Sequence, residues 1–252
     1  MKNYAANNIR NFALVGHGSS GKTMLSESML YKSGEINRLG SIEGGSTVSD
    51  YHHDEHNRQI SIHSSPLHLE WNETKFNLID TPGYLDFIGE TISSLAVVDS
   101  AIIVIHAVNG IEVGTEKVWN YASDFGLPKT LVINGFDREN TKFDTILNQA
   151  KDHFGSNVFP MQLPVNAGPD FNQIVDVLRS ELITYSTDGS GKYKEEDLPD
   201  EWKGQVKELH QELIEYVAES DDSLLEKFFD QGNLSEEEMR EGLHQAIQNQ
   251  IL

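Results

Sequence analysis

Short apolar runs alternate with amphipathic stretches through the first part of the chain. The runs Asn11–Val15, Leu67–Trp71, Lys75–Ile79, Ala101–His106 and Lys129–Asn134 predict strands. Apolar residues at helical spacing predict helices over Thr23–Ser33, Phe87–Val98, Val113–Phe125 and Lys142–Phe154. Ala101–Ile105 and Thr130–Ile133 are continuously apolar, the mark of strands covered on both faces. Strands alternating with helices imply an α/β fold, a mostly parallel sheet flanked by helices with ligands at the strands' carboxyl ends. Arg38–Ile60 breaks the rhythm: it is polar, rich in Gly, Ser and His, and too long for an ordinary connection. A loop of that length is expected to be functional or disordered.

Beyond Phe154 the texture changes. Val158–Val165 and Arg179–Ser186 predict strands, joined by Gly168-Pro169-Asp170-Phe171 and followed by a turn-rich piece, Asp188–Pro199. Asp200–Asn249 is acidic and helical, with Leu209, Leu213, Ile214 and Val217 on one face and Leu224, Leu225, Phe228 and Phe229 on another. Ser235-Glu236-Glu237-Glu238 opens the last helix as a capping box. The expected division is an α/β core over 1–156 and an inserted acidic α+β subdomain over 157–252.

Composition narrows the classes. At 252 residues the chain can bury a sizeable core. No run is apolar enough to span a bilayer and no signal peptide opens the sequence. With no cysteine, disulfides and thiolate metal sites are excluded, which suits a cytoplasmic protein. The net charge of −21 argues against a surface that clamps nucleic acid, and favours basic protein partners.

The chemistry begins at Gly16-His17-Gly18-Ser19-Ser20-Gly21-Lys22-Thr23, between a predicted strand and a predicted helix. In that context the pattern reads as a phosphate-binding P-loop rather than a structural glycine turn. Gly16, Gly18 and Gly21, with Ser19 and Ser20, let consecutive N–H groups point at a phosphate, and the helix adds its positive end. Lys22 can bridge the outer phosphates and the Thr23 hydroxyl can ligate Mg²⁺. Asp80-Thr81-Pro82-Gly83 ends another strand. Asp80 there can hold Mg²⁺, and Gly83 can bring a backbone N–H to a γ-phosphate; alone, the same residues make an ordinary Asp-initiated turn. Asn134-Gly135-Phe136-Asp137 ends a third. Asp137 can accept from N1–H and the 2-amino group of guanine, donors that adenine lacks, so ATP is disfavoured. Its bland reading is again a strand-ending turn.

Taken together, these stretches resemble the GTPase domain of translation elongation factor G, and more nearly its elongation-factor-G-like paralogues. Arg58–Ile62, Asp86-Phe87, Gly110–Val113 and Phe159-Pro160-Met161-Gln162-Leu163-Pro164 extend the resemblance over essentially the whole chain. The last of these opens the subdomain that the family inserts into its GTPase core and that faces the ribosomal stalk protein. The resemblance implies a P-loop NTPase fold, binding of GTP and GDP, Mg²⁺, and ribosome-coupled hydrolysis by a cytoplasmic monomer. It also implies that Ser61 stands where the family has the switch threonine that completes the Mg²⁺ shell. The long polar loop is then a segment ordered by the triphosphate.

Several positions depart from the family pattern. Tyr84 replaces the histidine that positions the attacking water; a phenol can hydrogen-bond a water but is no base at neutral pH, so hydrolysis is expected to be slow rather than absent. Gly135 replaces the lysine of Asn-Lys-x-Asp, which predicts weakened guanine affinity with selectivity partly retained. Ser19 replaces a P-loop aspartate. The chain ends about where the family's insert returns to the core, before a Ser-Ala loop that contacts guanine, so it reads as the N-terminal part of a longer protein. These departures keep open a catalytically silent guanine-nucleotide-binding module as the alternative to a GTPase. Elsewhere, Tyr51–His56 offers histidines without a rigid scaffold and is expected to be solvated loop rather than a metal site. Trp119 and Tyr121 are expected to pack, and Asp86, Glu90 and Glu112 are expected to be exposed-loop carboxylates that carry no chemistry.

Overall fold

The computed structural model describes residues 2–232 and 234–252. Its residues fall into two compact units, Met1–Gly135 and Phe136–Leu252. The first unit runs β1 (Ile9–Gly16), α1 (Lys22–Ser33), α2 (His53–Arg58), β2 (Ser65–Trp71), β3 (Thr74–Asp80), α3 (Ile88–Leu95), β4 (Ser100–His106), α4 (Val113–Asp124) and β5 (Lys129–Asn134). All five strands predicted for it form, and α2 appears inside the polar segment that carried no predicted helix.

These strands make one sheet in the order β2-β3-β1-β4-β5. β1 runs parallel to β3 and β4, and β4 parallel to β5, so the carboxyl ends of four strands share one edge. β2 alone is antiparallel, joined to β3 by Asn72 and Glu73, both at positive φ (46° and 60°). That is the turn whose twist matches the flanking strands. Side-chain alternation along β1 splits the core. Phe12 and Leu14 face α1 with Leu30, Leu69 and Leu78, while Ala13 and Val15 face α3 and α4 with Leu95, Ile103, Val118 and Ala122. Burial on both faces explains why these strands read as unbroken apolar runs. Trp119 and Tyr121 pack against the second of these clusters, as expected.

The second unit runs α5 (Phe143–Phe154), β6 (Gln162–Pro164), β7 (Gln173–Asp176), β8 (Glu181–Tyr185), β9 (Tyr193–Asp197), α6 (Asp200–Ala218), α7 (Asp222–Gln231) and α8 (Glu236–Gln248). Its four strands form a separate antiparallel sheet in chain order. β7 forms where no strand is expected, and two further differences stand out. The strand expected over Val158–Val165 shrinks to β6, and the turn-rich piece contains β9. β9 is exposed along its whole length and reads Tyr-Lys-Glu-Glu-Asp, so it has no apolar face to betray it; charge there suits an edge strand. Leu163, Val175, Val177 and Leu182 pack on Val206 of α6. Further along α6, Leu213, Ile214 and Val217 pack with Leu234 and Met239. Ser235 caps α8, accepting from the Glu238 N–H while the Glu238 carboxylate accepts from the Ser235 N–H at 2.9 Å; the Glu236 side chain lies outside the described residues.

Leu213 is fully buried where α6, α7 and α8 converge. Leu213→Ala is expected to destabilise the second unit by about 2–5 kcal/mol. Urea unfolding followed by circular dichroism reads the loss; a change below about 1 kcal/mol would mean that this core collapses around the cavity.

Candidate nucleotide site

Three loops meet at the carboxyl edge of the sheet. The loop after β1 reverses through Ser19 at φ 63° and Gly21 at φ 95°, and α1 begins at Lys22. Alternating right- and left-handed residues turn successive N–H groups toward one concavity, which is an anion nest. Gly21 is required twice over: its φ is left-handed, and a Cβ there would collide with the Asn134 side chain. That side chain donates from Nδ2 to the Ser20 carbonyl at 3.1 Å, bracing the loop from the end of β5. The Ser20 hydroxyl is buried without a hydrogen-bond partner.

Lys22 is buried, and its ammonium donates to the Gly16 carbonyl at 3.2 Å and the His17 carbonyl at 2.9 Å. Burial lowers its pKa to about 8 despite the nearby carboxylates of Asp80 and Asp50. Asp80 ends β3, also buried; burial raises it to about 6, against the pull of Lys22. Its Oδ2 accepts from Ser26 Oγ at 3.4 Å and its Oδ1 has no partner. Asp50, from the long polar segment, is another buried carboxylate close enough to act on Lys22, and burial raises its pKa too. The hydroxyls of Thr23 and Ser61 stand 3.1 Å apart. A buried set of carboxylate and hydroxyl oxygens, one of them orphaned, fits a hard dication such as Mg²⁺.

The turn after β3 closes over the loop. A Cβ on Gly83 would meet the Lys22 ammonium, and would lie 2.7 Å from both the Gly18 nitrogen and the His17 carbonyl oxygen. Only glycine allows that approach. Tyr84 follows and lays its ring against Gly18, 40% exposed. Asp137, three residues beyond Asn134, belongs to the second unit and is exposed.

Much of the polar segment is exposed, including Tyr51, His53, Asp54 and His56 as expected, yet two buried carboxylates hold its main chain at defined points. Glu27 of α1, buried, accepts from the Gly40 N–H at 2.8 Å and the Val48 N–H at 2.9 Å. Glu55 of α2, also buried, accepts from the N–H groups of His52 at 3.1 Å, Ile62 at 2.9 Å and His63 at 3.0 Å. These two carboxylates set the path that delivers Asp50 and Ser61. Sequence reasoning missed Asp50, Glu27 and Glu55, since an acidic residue in a polar segment or on an amphipathic helix gives no local sign of burial. Two of the carboxylates expected to be exposed are half-buried and make structural contacts. Glu90 accepts from the Ser64 N–H at 2.9 Å. Glu112 lies 3.6 Å from His17 Nε2, while His17 Nδ1 accepts from the Gly114 N–H at 3.2 Å, tying the P-loop to α4.

Without nucleotide or divalent cation, Asp80 has a folded pKa near 6 against the usual 3.8. The native state therefore holds an extra proton between those values, and stability falls as pH rises through that window. The difference amounts to roughly 3 kcal/mol between the limits. Lys22 acts in the opposite sense at higher pH: with a folded pKa near 8 against 10.5, its contribution rises as pH climbs between them. In chelator, the stability of the wild type relative to Asp80→Asn is expected to decline from acid to neutral pH. Thermal melts across that range check it; parallel curves would mean that Asp80 titrates normally.

Comparison with known proteins agrees with this geometry. The family model of the elongation factor Tu GTP binding domain matches residues 7–242. A crystal structure of a protein from Thermus thermophilus superposes with a TM-score of 0.90 at 32% identity, covering 97% of this chain and 36% of that one. The chain thus spans a little over a third of that protein's length. Among the described residues no helix is long and apolar enough to cross a membrane. The resemblance to elongation-factor-G-like GTPases holds, and the chain belongs to the elongation factor Tu GTP binding domain family.

Proposed function

We propose that this chain binds GTP with Mg²⁺ and hydrolyses it slowly, as the switch domain of an elongation-factor-G-like protein that acts on the ribosome. The observation that carries this reading is the meeting of Ser61 with Thr23 beside the orphaned Asp80 oxygen. A segment that delivers a hydroxyl to that point has a defined place when the dication and outer phosphate are bound.

The roles follow from position. The N–H groups of Gly16 to Gly21, with the Lys22 ammonium, hold the phosphates and offset the charge that develops on them. Thr23, Ser61 and Asp80 would hold Mg²⁺, which would supply neutralisation of phosphate charge. Gly83 offers its backbone N–H to the γ-phosphate, and Tyr84 orients the attacking water through its hydroxyl without taking its proton. Asn134 braces the P-loop, and Asp137 reads the base. Gly135 lacks the long side chain that would cover one face of guanine, so affinity is modest. The acidic second unit is the surface for the ribosomal stalk protein, in a cytoplasmic monomer.

Calorimetric titration with GTP, GDP, ATP and XTP in Mg²⁺ tests the base assignment. Asp137→Asn is expected to weaken GTP by at least about tenfold and to improve XTP, because an amide donates to the oxygen that xanthine carries in place of the 2-amino group. Unchanged GTP binding would remove Asp137 from the site. For the chemical step, Tyr84→Phe is expected to slow single-turnover GTP cleavage on the order of tenfold with nucleotide Kd unmoved. An unchanged rate would leave the water to be oriented by backbone alone.

A further inference from the structure

The histidine-rich stretch has the scaffold that its sequence did not reveal. We propose that His52, Asp54 and His63 form a site for a transition-metal dication of the Zn²⁺ class, beside the segment that carries Ser61. One ligand atom from each of the three lies within 4.8 Å of the other two. His63 Nε2 and Asp54 Oδ2 are 3.8 Å apart, and the rings of His52 and His63 lie against each other with centroids 4.4 Å apart. Zn²⁺ with nitrogen and oxygen ligands at about 2.0–2.2 Å needs its donors roughly 3.3–3.5 Å from one another, within reach of small side-chain rotations.

Buried Glu55 makes the arrangement specific. Its two oxygens accept from the backbone N–H groups of His52 and His63, so one carboxylate fixes the origins of both imidazoles. Neighbouring histidines are otherwise engaged: His53 Nδ1 bonds Asn57 at 2.8 Å, and His56 Nε2 bonds the Asp50 carbonyl at 2.7 Å. Two imidazoles and one carboxylate, all half-buried or exposed, make a three-ligand set that leaves a fourth position for water. Imidazole nitrogen separates this set from the oxygen-only set at Asp80, which suits Mg²⁺. With no cysteine in the chain, no thiolate competes for the softer ion. Since Ile62 and His63 directly follow Ser61, a metal here clamps the far end of the polar segment independently of nucleotide.

The test is calorimetric titration of the tag-free chain with Zn²⁺ in excess Mg²⁺, which fills the oxygen-only set. One equivalent is expected to bind. Co²⁺ in its place is expected to give the visible bands of a four-coordinate ion on the unaltered chain, a readout that needs no variant. His52→Ala and His63→Ala are each expected to weaken binding by at least about tenfold, and His53→Ala to leave it unchanged. Absence of one-to-one binding, a six-coordinate Co²⁺ spectrum, or equal loss in His53→Ala would each overturn the site.

Discussion

Across the parallel pairings of β1, Leu14 stands opposite Asp80 on one side, and Gly16 stands opposite Val104 on the other. Every other feature of the nucleotide site depends on that central position. Because β1 is hydrogen-bonded on both sides and covered on both faces, its end is fixed in all directions, and the loop that leaves it begins from a rigid point. Thr81 extends the same constraint by donating its hydroxyl to the Leu14 carbonyl at 2.7 Å. The turn that carries Gly83 is thereby registered to the P-loop within the tolerance that a glycine contact demands.

The price of the arrangement is electrostatic. Lys22, Asp80 and Asp50 are all withdrawn from water, and each is shifted toward its neutral form, with burial as the largest cause. Mutual attraction offsets only part of the desolvation. In a site built this way, a bound dication would favour the carboxylate forms and a bound anion the ammonium form. Binding and ordering are therefore two descriptions of the same free energy.

Much of this is legible in the chain itself, and the reasons are local. Phe12–Val15 and Ala101–Ile105 announce buried strands by unbroken apolarity, and Gly16–Thr23 announces its turn by glycines placed between a strand and a helix. What escapes depends on contacts distant in sequence. β9 has no apolar face. Glu55 looks like any acid in a polar loop, and its burial follows from the return of Ile62 and His63 to its carboxylate. The histidines beside it show no scaffold in the sequence for the same reason. Asp137 is singled out by its spacing from Asn134 alone, and its part in base recognition belongs to the proposal.

Among the described residues, Glu27 and Glu55 hold the polar segment and the residues just after it through main-chain amides, at Gly40, Val48, His52, Ile62 and His63. A carboxylate that reads backbone is indifferent to the side chain attached. Away from Gly40, Asp50, Ser61 and the histidine cluster, the segment can therefore change side chains while retracing the same path. Proline, which has no amide hydrogen to offer, is barred from those five positions, and at Gly40 any Cβ would also meet the Ser46 carbonyl.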